Sequence, residues 1–423
     1  MRIGIIGATL WGNRGAEAML VTTIGRLRKA FPEATYIVFS YLPSRDTDLC
    51  KDPSVVILDG SPIATLVKHL PFAFVDRVLR VFNLRFPSVL MPRSIRELRT
   101  CNILLDISGI SYIDDRQIVL AFNVLTNWPA LLLNIPVVKL SQSLGPMRRV
   151  FTRIAAKVAL APCQMVFARG ELSVQHLSEI GLTENCADCP DTAFLYDPTY
   201  SLTQENEDHL LSIEEGIRSW KAKGDNVVGF SVSAVVRRRC EKQGLDYCGV
   251  LSKTIFDLIA EGNRVVLIPN ATTGHENRHR RLNDLPIISD IQRRVKDLTP
   301  DAAHSLLCIK RDINTDGIRR LVRHCDVLIA SRFHAMVAAL CLGVPLLVIG
   351  WSHKYKDTLR LFALENVSHD FSELGIHNLT DLVHETIADV RNIREKTLAH
   401  LENVRFESEK QFKWIEHHLK GKM

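Results

Sequence analysis

Four residues able to bind anions or move a proton lie close together in the second half of the sequence. Ser331, Arg332 and His334 begin an Ala-rich apolar run, and Lys354 follows the apolar segment Leu346–Gly350. An Arg guanidinium makes bidentate contacts with carboxylate or phosphate, and a Lys ammonium is a mobile point charge. An imidazole titrates near neutral pH, so His334 is a candidate general acid or base. The combination predicts a site for a small polyanion.

The spacing of these residues fits a strand–helix–strand unit of about thirty residues. The apolar segments 326–330 and 346–350 predict two strands, and the run between them predicts a helix that ends at Gly343. In a parallel sheet the turns after both strands lie at one edge, where open α/β sheets bind ligands. Arg332, His334 and Lys354 are therefore predicted to be neighbours.

A purely structural interpretation exists for each residue taken alone. Ser331 at a helix start is a typical N-cap, Arg332 and Lys354 would lie in solvent, and His334 would pack in the core. The occurrence of all four at adjoining strand ends favours a site.

The same alternation of buried strand, polar turn and helix recurs along the whole chain, which is typical of doubly wound α/β domains. A chain of 423 residues is long enough for two such domains. We predict two Rossmann-like domains in a GT-B-like architecture with C-terminal helices. The predicted boundaries are 1–200 for an N-terminal domain on the acceptor side, 201–225 for a linker, 226–380 for a C-terminal domain on the donor side, and 381–423 for helices that cross back in one interpretation.

Polar residues also follow the other predicted strands. They are Asn13, Asp106, Ser108, Gln142, Ser143, Arg169 and Ser173 in the first half, and Ser231, Asn270 and His275 in the second. Asp106, Asp114 and Asp115 leave a divalent cation open as an alternative. Because Arg, Lys and His predominate, we predict an anion site without a metal.

Charge and composition narrow the classes of ligand. The net charge of +6 suits anionic ligands or an anionic membrane surface. It is too small to indicate nucleic acid, and no aromatic and basic RNA-binding motif is present. The ten cysteines are scattered, and the single CxxC at Cys186 and Cys189 has no second pair, so reduced thiols are expected.

Basic and apolar residues are interleaved from 62 to 99. The basic residues include Lys68, Arg77, Arg80 and Arg85, and the apolar ones include Phe74. Such a segment lies on an anionic membrane surface or packs as a helix on its own domain. The apolar run at the N-terminus is too short for a signal peptide, and prolines interrupt the apolar stretch 118–138. We predict a cytoplasmic protein and leave a peripheral contact with the inner membrane face open.

In chain order, these motifs resemble those of the polysaccharide pyruvyl transferases. The matching segments are Gly12-Asn13-Arg14-Gly15-Ala16-Glu17-Ala18, Ser108-Gly109 with Asp114, Gln142-Ser143-Leu144-Gly145-Pro146, Arg169-Gly170-Glu171-Leu172-Ser173, Asp191-Thr192-Ala193-Phe194, and the block from Ser331 to Lys354. The last of these is the strongest match, and the ordered set is more specific than any one motif.

The resemblance implies a GT-B-like fold and the transfer of a pyruvyl group from phosphoenolpyruvate to a sugar, which forms a ketal. It implies a glycan or lipid-linked acceptor, a precursor of a cell-surface or extracellular polysaccharide, and no cofactor besides the phosphoenolpyruvate substrate. His334 is then the expected catalytic residue. The expected donor-binding residues are Arg332, Arg169, Lys354 and Ser331, and the expected acceptor-binding residues are Asn13, Asp106, Ser108, Gln142 and Ser143.

Three positions depart from the family pattern. Ala16 replaces an Asp, Ser108 stands where many members have Gly, and Gly170 replaces an Asp. A nucleotide-sugar glycosyltransferase of the same fold, with Glu365 as its ribose-binding residue, is one alternative. A non-catalytic family member that acts as a binding protein is the other.

Overall fold

The computed structural model describes residues 1–84, 86–114, 117–273, 283–299, 302, 304–375 and 378–421. Arg85, Asp115 and His275, singled out above, lie outside these residues. The chain divides into two units. Unit 1 comprises Met1–Leu10, Met19–Leu202 and Arg405–Met423, and unit 2 comprises Trp11–Ala18 and Thr203–Val404.

The described residues of unit 1 form a parallel sheet with the strand order β3-β2-β1-β4-β6-β7-β8, and β5 pairs with β6. The order reverses between β1 and β4, which is the doubly wound pattern. The strands are β1 (Arg2–Ile6), β2 (Thr35–Ser40), β3 (Val55–Asp59), β4 (Ile103–Asp106), β5 (Ile110–Ser111), β6 (Val137–Leu144), β7 (Met165–Ala168) and β8 (Cys186–Asp188).

Helices follow the strands of unit 1. They are α1 (Arg14–Ala30, which begins in unit 2), α2 (Pro43–Leu49), α3 (Pro62–Ala64), α4 (Leu70–Val81), α5 (Arg93–Leu98), α6 (Gln117–Leu125), α7 (Trp128–Leu132), α8 (Val150–Leu160) and α9 (Glu171–Glu179). A π-helical turn, Thr65–His69, joins α3 to α4. One side of each of the helices α4 to α9 packs into one core against the sheet.

Unit 2 contains a second parallel sheet, whose described strands follow the order β11-β10-β9-β12-β13-β14. They are β9 (Val227–Ser231), β10 (Arg264–Ile268), β11 (Leu306–Cys308), β12 (Val327–Ala330), β13 (Leu346–Gly350) and β14 (Ser368–Asp370). Because the strands are parallel, the residues after β9, β10, β12 and β13 reach the same edge. The two doubly wound sheets confirm the predicted α/β class.

The helices of unit 2 cover both faces of its sheet, as parallel sheets require. They are α10 (Glu207–Ala222), α11 (Ala234–Lys242), α12 (Tyr247–Ala260), α13 (Leu285–Leu298), α14 (Thr315–Arg323), α15 (Phe333–Leu342), α16 (Lys354–Arg360), α17 (Leu379–Ala388) and α18 (Val390–Lys420), whose end from Arg405 onwards belongs to unit 1. None of the helices in the described ranges is both long enough and apolar enough to cross a bilayer.

The stretch expected to be a linker is largely helical. Helix α10 fills residues 207–222 and buries Leu210, Ile217 and Trp220. These apolar residues recur at helical spacing, but the charged residues between them hide the pattern in the sequence. The segment 188–195 contains only the end of β8 and a short 3₁₀ turn, Thr192–Leu195.

Candidate functional site

Helix α15 positions Ser331, Arg332 and His334. It is apolar on all sides and buried from Ala335 to Cys341, as expected for a helix at the centre of a unit. Gly343 ends it in the left-handed conformation, with φ of 65°, which glycine adopts without strain. Arg332 is the N-cap residue, so Ser331, Arg332 and His334 stand at the helix start, beyond the carboxyl end of β12.

A buried carboxylate holds the Arg332 guanidinium. Nε of Arg332 donates to Oδ2 of Asp284 at 3.1 Å, and Nη2 donates to Oδ1 of the same residue. The Asp284 side chain is fully buried, and that of Arg332 is 15% exposed. This bidentate contact fixes one edge of the planar guanidinium and thereby its direction.

Asp284 also connects the loops that surround Arg332. Its carboxylate accepts backbone hydrogen bonds from Ala234 at 2.9 Å, Asn270 at 3.1 Å and Ala271 at 2.9 Å. Ala234 follows β9, and Asn270 and Ala271 follow β10. One carboxylate therefore ties together the residues after three strands, β9, β10 and β12.

Ser331 takes part in the internal framework of unit 2. The Tyr247 hydroxyl lies 2.9 Å from Oγ of Ser331, and both residues are buried. The Ser331 amide donates to the Ser231 carbonyl at 2.9 Å. Burial raises the pKa of Tyr247 above its ordinary range, so the phenol stays protonated. These contacts fix the position of Ser331 within unit 2, and its predicted contact with the donor stays a prediction.

His334 lies against the N-terminal turn, because residues 11–18 belong to unit 2. A side chain at Gly15 would overlap the His334 ring, with Nδ1 as its nearest atom. The Phe333 ring meets the imidazole edge-on, with 5.2 Å between centroids. The ring is therefore confined on the Gly15 side by backbone, and glycine is required there for the close approach.

The N-terminal turn is anchored by backbone pairing and a capped helix. Asn13 pairs with Ala271, and the Arg14 amide donates to the Asn270 carbonyl at 3.1 Å. Oδ1 of Asn13 accepts from the Gly15 amide at 3.1 Å, so Asn13 caps α1. The helix consequently starts at Arg14.

A second anchor of this turn is the buried Glu17. Its carboxylate accepts from Nη1 of Arg14 at 2.7 Å, from Oγ1 of Thr203 at 2.8 Å and from the Thr315 amide at 3.0 Å. Glu17 thus fastens the first turn of α1 to the start of α14. No local sequence pattern indicates this function of Glu17.

Lys354 begins α16 and lies among aromatic rings. Its Nζ is 4.8 Å from the Phe333 ring centre, 5.2 Å from Trp351 and 5.5 Å from Tyr355. The Arg239 guanidinium also stacks over Trp351, at 4.5 Å. Cation–π contacts with several rings hold the ammonium close to Phe333, the residue that precedes His334.

The other predicted site residues lie in unit 1. Asp106, at the end of β4, is buried and forms an ion pair with the buried Lys139. It also accepts from Nδ2 of Asn127 at 3.0 Å and from Oγ of Ser108 at 2.6 Å. Burial alone would raise the pKa of Asp106, but Lys139 and these donors hold it below its usual range. Asp106 positions Ser108, which is half-buried.

Gln142 and Ser143 lie at the irregular end of β6. The register with β7 shifts between Lys139 and Gln142, and Ser141 adopts a φ of 47°, uncommon for a residue with a side chain. Such a bulge changes the direction of the side chains that follow. Nε2 of Gln142 donates to the Asp106 carbonyl at 3.2 Å, and its Oε1 is buried without a hydrogen-bond partner in the described residues.

Arg169 is buried at the end of β7 and forms an ion pair with Asp191 at 2.8 Å. Burial lowers the pKa of Arg169, and Asp191 opposes this effect. Oγ of Ser173 donates to the Arg169 carbonyl at 2.8 Å and accepts from the Leu144 amide at 3.0 Å. The ends of β6 and β7 are thereby joined.

The residues that sequence analysis missed are the buried partners of those it found, namely Asp284, Lys139 and Asp191. Asp191 was recognised only as part of a motif. Asp284 stands 48 positions before Arg332, so no local pattern indicates the contact. The charged Lys139 within the apolar residues 137–140 at the start of β6 was the one available signal. In the described part of the chain, no three His, Cys, Asp or Glu residues are placed to hold a metal ion.

Comparison with known proteins adds one family and a set of similar structures. The model of the family described as polysaccharide pyruvyl transferase matches residues 13–353. Lys354 is the first residue after the matched range. Comparison with curated proteins gives no match.

Solved structures resemble this chain in fold at low sequence identity. The UDP complex of Staphylococcus aureus MnaA has a TM-score of 0.57 and 12% identity, covering 99% of this chain and 97% of that one. UDP-GlcNAc 2-epimerase from Neisseria meningitidis, bound to UDP-GlcNAc, has a TM-score of 0.53 and 13% identity, covering 99% and 100%. An α,α-trehalose-phosphate synthase (UDP-forming) from Burkholderia vietnamiensis has a TM-score of 0.55 and 10% identity, covering 99% of each chain. These likenesses confirm the GT-B fold.

Proposed function

Because this chain belongs to the polysaccharide pyruvyl transferase family, we propose that it transfers a pyruvyl group from phosphoenolpyruvate to a sugar and forms a ketal. The acceptor in this proposal is a glycan or a lipid-linked sugar on the way to a cell-surface or extracellular polysaccharide. The observation that carries the proposal is that two cationic side chains lie at the start of α15, Arg332 as its N-cap residue and Lys354 over the Phe333 ring.

The two cations suit the two charged ends of phosphoenolpyruvate. Asp284 occupies the edge of the Arg332 guanidinium formed by Nε and Nη2. The edge that includes Nη1 would meet a carboxylate or phosphate of the donor. Lys354 is held over three aromatic rings and supplies a point charge for the second anionic group. Arg169 stays a candidate in unit 1, although its ion pair with Asp191 already engages it.

The proposed chemistry begins with protonation of C3 of phosphoenolpyruvate, which makes C2 electrophilic. A sugar hydroxyl attacks C2 and loses its proton, the C2–O bond to phosphate breaks, and inorganic phosphate leaves. A second hydroxyl then closes the ketal and releases its proton. His334 moves a proton in these steps, an effect worth roughly 10²- to 10⁴-fold in rate.

The acceptor residues in this proposal are Ser108, Gln142 and Ser143 of unit 1. The buried Oε1 of Gln142 supports this assignment, because an unsatisfied buried acceptor costs about 1–3 kcal/mol. A sugar hydroxyl or a water molecule that donates to Oε1 would remove that cost. Asp106 and Asn13 are reassigned as positioning residues, since one orients Ser108 and the other caps α1.

The test is phosphate release from phosphoenolpyruvate in the presence of a panel of glycan and lipid-linked sugar acceptors, with the ketal carbon detected by NMR. His334→Ala should abolish turnover and leave the folded state intact by circular dichroism. His384→Ala is a suitable control, because His384 pairs with Glu261, just before β10 begins, and so lies at the opposite end of the sheet.

Three outcomes would contradict the proposal, the first of them only in its assignment of His334. Near-normal turnover by His334→Ala removes this residue from the chemistry. Thermal stabilisation by UDP-sugars, with no phosphate release from phosphoenolpyruvate for any acceptor, would indicate the glycosyltransferase alternative. If no donor gave phosphate release or thermal stabilisation, the chain would be a non-catalytic binding protein.

A further inference from the structure

Unit 1 exposes an unusual number of large apolar side chains on two of its helical segments. The first segment, 62–90, exposes Phe74, Val78, Val81 and Phe82 on α4, together with Ile63, Leu66, Val67, Leu84, Val89 and Leu90. The second is α8, which exposes Val150, Phe151, Ile154 and Val158. Exposed apolar surface of this kind, rimmed by polar side chains, marks an interaction site in a soluble protein.

The exposed residues follow helical spacing. Phe74, Val78 and Val81 lie four and three residues apart on α4, and Phe151, Ile154 and Val158 lie three and four residues apart on α8. Each helix therefore presents an apolar stripe to solvent, and its opposite side is buried in the core. Scattered surface residues would not repeat in this way.

Both stripes lie on the same side of the sheet. The connections from β3 to β4, β4 to β6 and β6 to β7 all run in one direction along the strand order. Since parallel crossovers are right-handed, their helices cover one face. Ala73 of α4 and Ala156 and Ala159 of α8 belong to one core cluster. We call the outer surface of segment 62–90 and of α8 the apolar–basic face.

Basic side chains predominate on this face, and Asp114 accepts hydrogen bonds from the backbone amides of Arg148 and Arg149 just before α8. The exposed side chains Lys68, Arg77, Arg93, Arg96, Arg148, Arg149, Arg153 and Lys157 lie on or beside the two segments. The only carboxylate in residues 61–96 and 149–160 is Asp76. Its side chain is fully buried and paired with Arg80 and Arg99.

We infer that the apolar–basic face binds the surface of an anionic lipid bilayer. Apolar side chains at helical spacing with Lys and Arg around them are what interfacial helices present to a membrane, with the apolar groups in the acyl boundary and the cations at the headgroups. A second copy of the chain fits less well, because two such faces would bring like charges together and because Lys is depleted in protein interfaces.

This inference stands independently of the proposed function, and it also explains how a lipid-linked acceptor is presented. An enzyme held on the bilayer meets such acceptors by diffusion in two dimensions. The chain would be a peripheral protein, held by the face and not by a spanning segment.

The test is flotation of the full chain with vesicles of equal parts phosphatidylcholine and phosphatidylglycerol, compared with phosphatidylcholine alone. The chain should float with the anionic vesicles and release at high salt, which screens the cations. The double variant F74S/F151S should lower the partition coefficient at least about tenfold, since burying one Phe contributes about 1.5–3 kcal/mol. F406S is the matched control, because Phe406 is 56% exposed and Phe74 59% exposed.

The cations are tested separately with K68Q/K157Q. Each removed charge should weaken partitioning about fivefold, from about 1 kcal/mol per basic residue near an anionic surface. K253Q, a similarly exposed Lys on α12, should leave it unchanged. Flotation that F74S/F151S does not reduce overturns the inference. Absence of flotation also overturns the inference. A concentration-dependent dimer that F74S/F151S dissociates would then indicate that the face binds a second copy of the chain.

Discussion

At the scale of single residues, the candidate site depends on charges held by buried partners. Arg332 projects from the helix start, and the fully buried Asp284 decides where its guanidinium points. Asp106 and Lys139 form the corresponding buried pair in unit 1. A buried pair of this kind is weak evidence for stability, but the loss of one partner leaves an uncompensated charge.

Asp284→Asn is therefore expected to affect both stability and binding. The amide cannot balance the Arg332 charge, and its NH₂ group would face backbone N–H donors that now contact Oδ1 and Oδ2. We expect a loss of about 3 kcal/mol in the free energy of unfolding, measured by urea denaturation. Under the proposed function, KM for phosphoenolpyruvate should rise more than kcat falls.

Asp290→Asn on the same helix provides the comparison. Asp290 forms partly exposed ion pairs with Arg293 and Arg294, so its loss should cost at most about 1 kcal/mol. If Asp284→Asn lowered stability but left KM for phosphoenolpyruvate unchanged, Asp284 would be a structural residue without influence on the donor.

At the scale of elements, helices whose bounds follow from the local sequence were predictable. Helices whose bounds depend on contacts with residues far along the chain were not. The strand–helix–strand unit around α15 follows from apolar runs, Gly343 and Pro345 alone. The start of α1 has no such local signal, because Asn13 caps the helix while pairing with Ala271, far along the chain. Helix α4 was recognised as apolar and basic, but sequence periodicity does not tell which of its apolar residues face solvent.

The π-helical turn before α4 contains a titratable group that should make stability depend on pH. His69 is buried, and its Nε2 lies 2.9 Å from Oγ of Ser94. Burial lowers the pKa of His69 from 6.5 to about 4; Asp59 raises it slightly and Lys68 lowers it further. Between these two pH values the unfolded chain binds a proton that the folded chain does not, so folding stability falls as pH drops below about 6.5.

At pH 5 this effect should reduce the free energy of unfolding by about 2 kcal/mol relative to pH 7.5. Urea denaturation of the wild type and His69→Gln at both pH values measures it, because other titrating groups cancel in the difference. The variant should lose about 2 kcal/mol less than the wild type on acidification. Equal losses would show that His69 is not buried in its neutral form.

At the scale of the whole molecule, the sequence was sufficient for the α/β class and the family resemblance, because both depend on ordered local patterns. The division of the chain was less accessible. Residues 11–18 belong to unit 2 and residues from Arg405 onwards belong to unit 1, although each is continuous in sequence with the other unit. Which unit a segment joins depends on contacts between residues hundreds of positions apart, such as the hydrogen bond from the Thr315 amide to Glu17. Local sequence patterns do not reveal such contacts.

The end of α18 completes unit 1, and its removal should loosen that unit. Gln411 lies 2.9 Å from Oγ of Ser141, and Oγ of Ser408 donates to the Asp191 carbonyl at 3.0 Å. Phe412 and Ile415 are buried. Their burial contributes up to about 5 kcal/mol, an upper estimate because unfolded chains already bury part of their surface.

Truncation after Val404 should therefore accelerate amide hydrogen exchange in β6 and in the segment 186–195, measured by mass spectrometry on the native protein. These segments contain Gln142, Ser143 and Arg169's partner Asp191, so the proposed acceptor residues should lose order with them. A strand of unit 2 such as β10 provides the internal reference, because its hydrogen bonds are made within its own sheet. Unchanged exchange in β6 would show that α18 contributes nothing to the irregular strand end where Ser141 holds a positive φ.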